Sequence, residues 1–407
     1  MFILILKKID VLKIFIFFSF FLLYSDISMT KCLVSKVPIP EIVRYAIEEH
    51  IKNKEYSDNE LVTVNILKKI LTTSRVFQRY MYHNEKIINA DFIKKMHLCD
   101  YKNEDIDFIN TFNNVDETLS KAGQLSRCLM FCFPITDVKV LSDRQAVIKL
   151  FTSKKMTDLR DYIDEYKQYE SDFISLFDDT DIDSLKYEET IKRLSSLQNV
   201  IFILQKINKF VMSNKRVNDI LLKHTKSFRI PFNNKVITND LYKIMHYLTH
   251  KNIRSHFLFF RKNKFNKKVL HTFEEYKQLF INIVHEIGVL DLYMASAKIM
   301  RENFKKTSFV KFLDKNKKDV PFFNITGMKN CIDDVDIKKN ISFKSLQSGG
   351  INIISINTDT DKDTSIVKNI FLNILLAQTI GMSFSKNCMM TPFNEISTHA
   401  YNIQEKQ

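Results

Sequence analysis

The stretch INIISINTDTDKDTSIVKNIFLNILLAQ, residues 351–378, determines the expected fold of the C-terminal part of the chain. The apolar run Ile351–Ile356 predicts a strand, and the apolar residues of Ile366–Gln378 predict a helix. The loop between them, Asn357–Ser365, stands where a phosphate-binding loop belongs. Such a loop needs glycines for close approach of backbone N–H groups and a lysine for charge. Because Asn357–Ser365 has no glycine and three aspartates, the sequence predicts the architecture of a nucleotide site without its chemistry.

The composition favours a helical protein with a basic surface. The 407 residues are 45% hydrophobic and 27% charged, with only six glycines and six prolines, which favours long helices over a turn-rich β protein. The formal charge of +14 allows a polyanionic partner. A basic protein without such a partner stays an open alternative, because an AT-rich genome also enriches lysine.

The six cysteines are scattered along the chain. Cys128 and Cys132 have helical spacing inside an apolar run, and no second pair completes a zinc site. We therefore expect reduced, mostly buried thiols and no metal site.

The N-terminal segment, residues 1–30, resembles a targeting sequence. Lys7, Lys8 and Lys13 precede the apolar run Ile14–Tyr24, which is the layout of a secretory signal or a short anchor. A start codon assigned too early would produce the same segment, so both interpretations stay open.

Apolar spacing predicts most of the remaining elements. We expect Pro134 to end a helix and Asp137 to cap the helix that runs to Phe151. Other predicted helices are Glu41–Ile51, Glu60–Tyr82, Ile106–Phe131, Asp158–Phe177, Tyr187–Met212 and Val269–Phe304. A short strand at Ile253–Phe260, a basic linker at Lys305–Lys318 and an α/β stretch at Phe322–Gln378 complete the prediction.

A cluster of cations interleaved with phenylalanines is the strongest candidate for ligand binding. Cations paired to phosphates release counterions and bind nucleic acid without sequence specificity. The alternative is a solvated basic turn whose phenylalanines pack on neighbouring helices. The predicted DNA-binding residues are Arg254, Arg261, Lys262, Lys264, Lys267 and Lys268.

Several sequence blocks follow known patterns in a fixed order. Ile88–Leu98 follows L-D-x-x-T-L-x-x-L-E-L, and the series Asp116, Thr118, Ser120 and Gly123 follows D-x-T-x-T-x-x-G. The series Pro134, Asp137, Leu141 and Arg144 follows P-L-x-D-x-x-x-I-x-x-R. Ile287–Ala297, with Asp291, follows L-x-x-L-D-x-L-x-S-x-A. Ala377, Gln378 and Gly381 are similar to A-Q-I-G, and Thr391–Ala400 is similar to T-P-I-D-R-I-F-T-R-x.

Together, over about residues 60–402, these blocks resemble the MutS family of DNA mismatch-repair proteins. The Thr391–Ala400 form is most similar to the eukaryotic MutS homologue that recognises mismatches within a heterodimer. The resemblance implies a mainly α fold: a helical core with long lever helices, then an incomplete α/β P-loop-type ATPase fragment. It places the core at 31–185, the lever at 186–304 with a short clamp near 226–268, and the partial ATPase domain at 305–407.

The resemblance also aligns the family loop G-P-N-M-G-G-K-S-T with Asn357–Ser365. Asp361 and Lys362 then replace the paired glycines, and Asp363 replaces the phosphate-binding lysine. We expect no catalytic residue in this chain, and ATP with Mg²⁺ would bind only if the degenerate loop still functions. The degenerate nucleotide positions are Asn357, Asp359, Asp361, Lys362, Asp363, Thr364 and Ser365.

The implied function is DNA binding in mismatch repair in the nucleus, with double-stranded DNA and a second MutS homologue as partners. One alternative is an ATP-binding repair ATPase subunit whose C-terminal half is missing from this chain. Another is a secreted or membrane-associated helical interaction protein with a relict core, if residues 1–28 act as a signal. An ATPase half without its central strands should also expose apolar surface along Ile370–Leu376.

Overall fold

The computed structural model describes residues 47–48, 51, 56–73, 117–153, 156–178, 181–213, 215–221, 259–313, 322–329, 341–344 and 362–394. These residues are mainly helical, with 74% in helices and few strands, which confirms the mainly α prediction. The predicted N-terminal segment, the block Ile88–Leu98, Arg254 and the strand Ile351–Ile356 lie outside these ranges.

The helices form most of the described structure. They are α1 (Asp58–Thr73), α2 (Lys121–Cys132), α3 (Val138–Phe151), α4 (Thr157–Ile174), α5 (Tyr187–Ser213), α6 (Lys215–Leu221), α7 (Phe259–Glu275), α8 (Lys277–Glu302) and α9 (Lys362–Ile380). Two 3₁₀ turns, Ser175–Phe177 and Ile182–Ser184, lie between α4 and α5. The helices predicted at Asp158–Phe177 and Tyr187–Met212 are therefore confirmed to within a few residues.

Six short strands follow α8 among the described residues. They are β1 (Ser308–Phe309), β2 (Lys311–Phe312), β3 (Phe322–Met328), β4 (Ile341–Lys344), β5 (Met382–Ser383) and β6 (Ser385–Met390). β1 pairs with β5, and the other four form a sheet of order β2-β6-β3-β4 in which only the β2–β6 pair is parallel. Phe323 pairs with Met390 and Ile325 with Cys388, all four being buried, so this face of the sheet belongs to the core.

Helix α8 is the centre of the helical packing. It contacts α1, α2, α3 and α4, and it is buried on nearly all sides from Phe280 to Met300. Its 26 residues are long and apolar enough to cross a membrane, yet 94% of its most apolar window is buried inside the protein. The packing with these helices and with α7 accounts for this burial.

Helix α2 begins later than predicted. Residues 117–120 are not helical, and the Ser120 hydroxyl accepts a hydrogen bond from the Gly123 N–H, so the helix starts at Lys121 rather than in the stretch from Ile106. The end before Pro134 is confirmed. Asp137 also caps α3 as predicted, because its carboxylate accepts hydrogen bonds from the N–H groups of Lys139 and Val140.

The predicted continuous helix Val269–Phe304 is wrong, because a break at Tyr276 separates α7 from α8. The apolar spacing continues across the break since both helices pack into one aromatic cluster. Phe273 of α7 and Phe280 of α8 have ring centroids 5.0 Å apart, and both contact Phe173 of α4. Periodicity alone therefore did not reveal the break.

Three further predictions need correction. Phe259 and Phe260 belong to α7 rather than to a strand, and β1 and β2 lie inside the stretch predicted as the basic linker Lys305–Lys318. The apolar surface expected to be exposed is buried: Ile370, Leu372, Ile374, Leu375 and Leu376 are each at most 7% exposed. Helix α9 packs against α2, α3 and β5, which accounts for part of that burial.

The described cysteines agree with the prediction of reduced thiols. Cys132 and Cys388 are free and buried, and Cys128 is free and half-buried. Burial raises the pKa of the Cys132 thiol above its ordinary value and that of Cys388 to about 12, so both stay protonated near neutral pH.

Candidate nucleic-acid interface

The predicted cationic cluster lies on helix α7 rather than on a turn. Arg261, Lys262, Lys264, Lys267 and Lys268 all fall within Phe259–Glu275, and we call residues 261–268 the basic segment. Helical geometry places Arg261, Lys264 and Lys268 along one side of the helix, because they are three and four residues apart. These three positions therefore share one side of α7.

The C-terminal half of α7 is fixed by apolar packing. Val269, Leu270 and Phe273 are at most 3% exposed, and α7 contacts α5, α8 and the 3₁₀ turn Ile182–Ser184. Phe273 and Phe177 have ring centroids 5.4 Å apart in an edge-to-face arrangement. This packing holds the helix that carries the basic segment in a defined position.

The two lysines of the basic segment whose side chains the structure describes differ in their contacts. The ammonium group of Lys267 donates a hydrogen bond to the backbone carbonyl of Asp183 at 2.5 Å. His271, one turn further along α7, lies 3.2 Å from the Asp183 carboxylate through its Nε2 atom. Lys268 is exposed. Asp183 therefore contacts the side of α7 that carries Lys267 and His271, and it leaves Lys268 exposed to solvent.

The degenerate nucleotide loop is only partly described. Lys362, Asp363, Thr364 and Ser365 form the first turn of α9, so the helix begins four residues before the predicted start at Ile366. The other predicted nucleotide positions, Asn357, Asp359 and Asp361, lie outside the described residues.

Two of the motif blocks meet at the N-terminus of α2. The Asp291 carboxylate accepts hydrogen bonds from the N–H groups of Leu119 and Ser120 at 2.8–3.1 Å and from the Ser120 hydroxyl at 2.7 Å. Asp291 is fully buried. The D-x-T-x-T-x-x-G and L-x-x-L-D blocks are thus joined by one carboxylate from α8.

A second buried carboxylate at the same helix end was missed by the sequence reasoning. Glu170 of α4 accepts hydrogen bonds from the N–H groups of Lys121 and Ala122 at 2.8 and 2.9 Å. Burial raises the pKa of Glu170 to about 7 although these two hydrogen bonds oppose the shift. Its position on the apolar side of α4, three residues before Phe173 and four after Tyr166, was the available signal.

Two further blocks, the one that contains Arg144 and the one that contains Gln378, meet at the C-terminal end of α9. The Arg144 guanidinium donates to the Thr379 carbonyl, and the Gln145 amide donates to the carbonyls of Gly381 and Val310 at 2.7 Å. Gln378 exchanges hydrogen bonds with the backbone of Phe393 and donates to the carbonyl of Ile135. The P-L-x-D-x-x-x-I-x-x-R block thus contacts the A-Q-I-G block directly.

The described residues contain no group of three or more side chains that could hold a metal ion. A cavity of about 20 Å³, lined in part by Ser126, Arg144 and His285, has room for one water molecule but not for a nucleotide. Burial lowers the pKa of His285 to about 4, so the imidazole facing this cavity is neutral at physiological pH.

The sequence matches no protein-family model and no curated protein.

Proposed function

We propose that this chain is a MutS-like DNA-binding protein of mismatch repair that contacts the DNA backbone through the basic segment. The observation that carries the proposal is the presence of five cations within eight consecutive residues on one packed helix. In this proposal α1–α4 form the helical core, α5–α8 form the lever with its DNA-binding clamp near the start of α7, and β1–β6 with α9 form the incomplete ATPase fragment.

The position of the cations in α7 supports a polyanionic partner. Arg261, Lys264 and Lys268 stand three and four residues apart on α7, a spacing at which like charges lower helix stability. The folding of α7 itself therefore does not explain this placement. A phosphate backbone would offset that cost, because it neutralises the cations.

The contacts between the motif blocks support the MutS-like assignment. Six blocks were recognised from separate parts of the chain, and polar residues of four of them contact each other in two pairs. Asp291 contacts the block that contains Ser120, and Arg144 contacts the residues that follow Gln378. Motif residues with a common structural role are expected to show such contacts.

The proposal assigns the working nucleotide site to a partner. Three carboxylates at Asp359, Asp361 and Asp363 would repel phosphate, and no glycine lets the backbone close around it. A second MutS homologue in a heterodimer would then supply ATP binding and hydrolysis.

Filter binding of the full chain to duplex DNA tests the proposal. If about five phosphates are neutralised, affinity should fall by about 500-fold between about 50 mM and about 200 mM salt. Binding without salt dependence, or no binding at the lower salt concentration, would contradict it. Single-stranded DNA of equal length serves as a competitor that reveals whether the duplex is preferred.

A further inference from the structure

The 3₁₀ turn Ile182–Ser184 presents an acidic residue to α7 in a fixed position. Asp181 caps the turn, because its carboxylate accepts a hydrogen bond from the Asp183 N–H at 3.0 Å. Ile182 and Leu185 are at most 9% exposed and anchor the turn on both sides of Asp183. Asp183 itself is exposed, so the turn holds a carboxylate at the protein surface.

Asp183 approaches α7 with two kinds of acceptor. Its backbone carbonyl accepts from Lys267, and its carboxylate lies beside the Nε2 atom of His271. Lys267 and His271 are four residues apart, so they lie on the same side of α7, directly along the helix from Lys264. A phosphate group that reaches this side of the basic segment needs the donors that Asp183 already occupies.

We propose that Asp183 is a built-in competitor for the polyanion and lowers the affinity of the basic segment for phosphate. This inference rests on the proposed function, because it concerns regulation of the same surface. A bound phosphate displaces the Asp183 carboxylate from His271 and takes the ammonium group of Lys267 from the Asp183 carbonyl. Lys268, which is exposed, forms the first contact.

The size of the effect follows from the exposure of the pair. The His271 and Asp183 side chains are 50% and 72% exposed, so solvent and salt screen their interaction. Exposed ion pairs of this kind correspond to a change of about two- to fivefold in an equilibrium constant. The competition therefore tunes affinity and does not abolish binding.

The test compares Kd for duplex DNA between the wild-type chain and Asp183→Asn at about 50 mM salt, where we expect tighter binding by about two- to fivefold. Glu188→Gln is the matched control, since it removes the same charge from an exposed position on the first turn of α5. In a chain that already carries His271→Gln, the gain in DNA affinity from Asp183→Asn should be smaller. The His271 imidazole, which Asp183→Asn would otherwise release, is then absent. Carbethoxylation of His271, followed by mass spectrometry without DNA, should become faster in Asp183→Asn.

Each outcome separates the two proposals. If the wild-type chain binds DNA in a salt-dependent way but Asp183→Asn gives no gain, the competition is overturned and the proposed function stands. Equal gains from Asp183→Asn and Glu188→Gln, or an unchanged rate of His271 modification, also overturn it. If neither the wild-type chain nor Asp183→Asn binds DNA, both proposals fall. Binding by Asp183→Asn alone also overturns the competition, because a two- to fivefold effect does not abolish binding by the wild type.

Discussion

Gly123 and Asp291 approach each other so closely that a β-carbon at position 123 would lie 2.2 Å from the Oδ2 atom of the Asp291 carboxylate. The same carboxylate caps the N-terminus of α2 through Leu119 and Ser120. The absence of a side chain at Gly123 is therefore what lets α8 place a carboxylate at this helix end. The contact joins α2 to the central helix of the core.

We predict that Asp291→Ala lowers the free energy of unfolding by about 3 kcal/mol or more, because it leaves buried N–H and O–H donors without their acceptor. Gly123→Ala should cost about 1–3 kcal/mol through steric overlap with the carboxylate. Urea denaturation measures both changes. Asp164→Ala, at an exposed position on α4, is the control and should stay within about 0.5 kcal/mol of wild type. A small effect at Asp291 would contradict its role as a buried cap.

Glu170 should make stability depend on pH near neutrality. Burial raises its pKa in the folded protein to about 7 from the ordinary value of 4.5, so the folded state binds a proton that the unfolded state has lost in this range. Its contribution to stability is thus fully present below pH 4.5 and is lost as pH rises through about 7. Over this pH range the free energy of unfolding should fall by on the order of 3 kcal/mol in total. Urea denaturation of wild type and Glu170→Gln should give a stability difference that changes with pH across this range. The opposite slope from His285, whose pKa is lowered to about 4, is common to both proteins and cancels in the difference.

Glu60 provides the control of opposite sign for the pH experiment. Hydrogen bonds with Lys121 and Ser57 lower its pKa to about 2, so its contribution is present above pH 4.5 and is lost as pH falls through about 2. Glu60→Gln should therefore change the pH dependence only below pH 4.5 and leave the slope near neutrality intact. A stability difference between wild type and Glu170→Gln that stays constant across this range would assign the titration to another group.

Replacing Gly381 with alanine should cost more stability than replacing Gly327, although both glycines have a positive φ. Its φ is 75°, and a β-carbon there would lie 2.5 Å from Cγ of Gln145, whose amide is fixed by two hydrogen bonds. Gly327 has a φ of 59°, but a β-carbon there would meet only the flexible side chain of exposed Lys386 at 2.9 Å. We predict that Gly327→Ala costs about 1 kcal/mol and Gly381→Ala at least about 1 kcal/mol more. Thermal and urea denaturation compare the two, and equal losses would contradict the steric argument.

Lys268 should contribute more to DNA binding than Lys267. Lys268 is exposed, whereas the ammonium group of Lys267 is already bonded to the Asp183 carbonyl. We predict that Lys268→Gln weakens binding and reduces the slope of log K against log salt by about 1, with a smaller effect for Lys267→Gln. Lys149→Gln, which removes the same charge from an exposed position on α3, is the control. An effect of Lys149→Gln equal to that of Lys268→Gln would show that net charge alone matters.

Features that depend on neighbouring residues were predictable from the sequence. The Asp137 cap, the helix end before Pro134 and the extents of α4 and α5 follow from side chains within four positions of each other. The position of the basic segment could also be predicted, but its helical form could not, because RKNKFNKK has one apolar residue and so shows neither helical nor strand periodicity.

The sequence by itself determined a mainly helical protein, its local caps and a concentration of cations between residues 254 and 268. Only the tertiary structure decided which distant residues meet: Asp291 lies 172 positions from Leu119, and His271 lies 88 positions from Asp183. It also decided the break at Tyr276, where two helices share one aromatic cluster. The reason is that periodicity and capping act over one or two helical turns, whereas packing selects contacts between segments with no pattern in common.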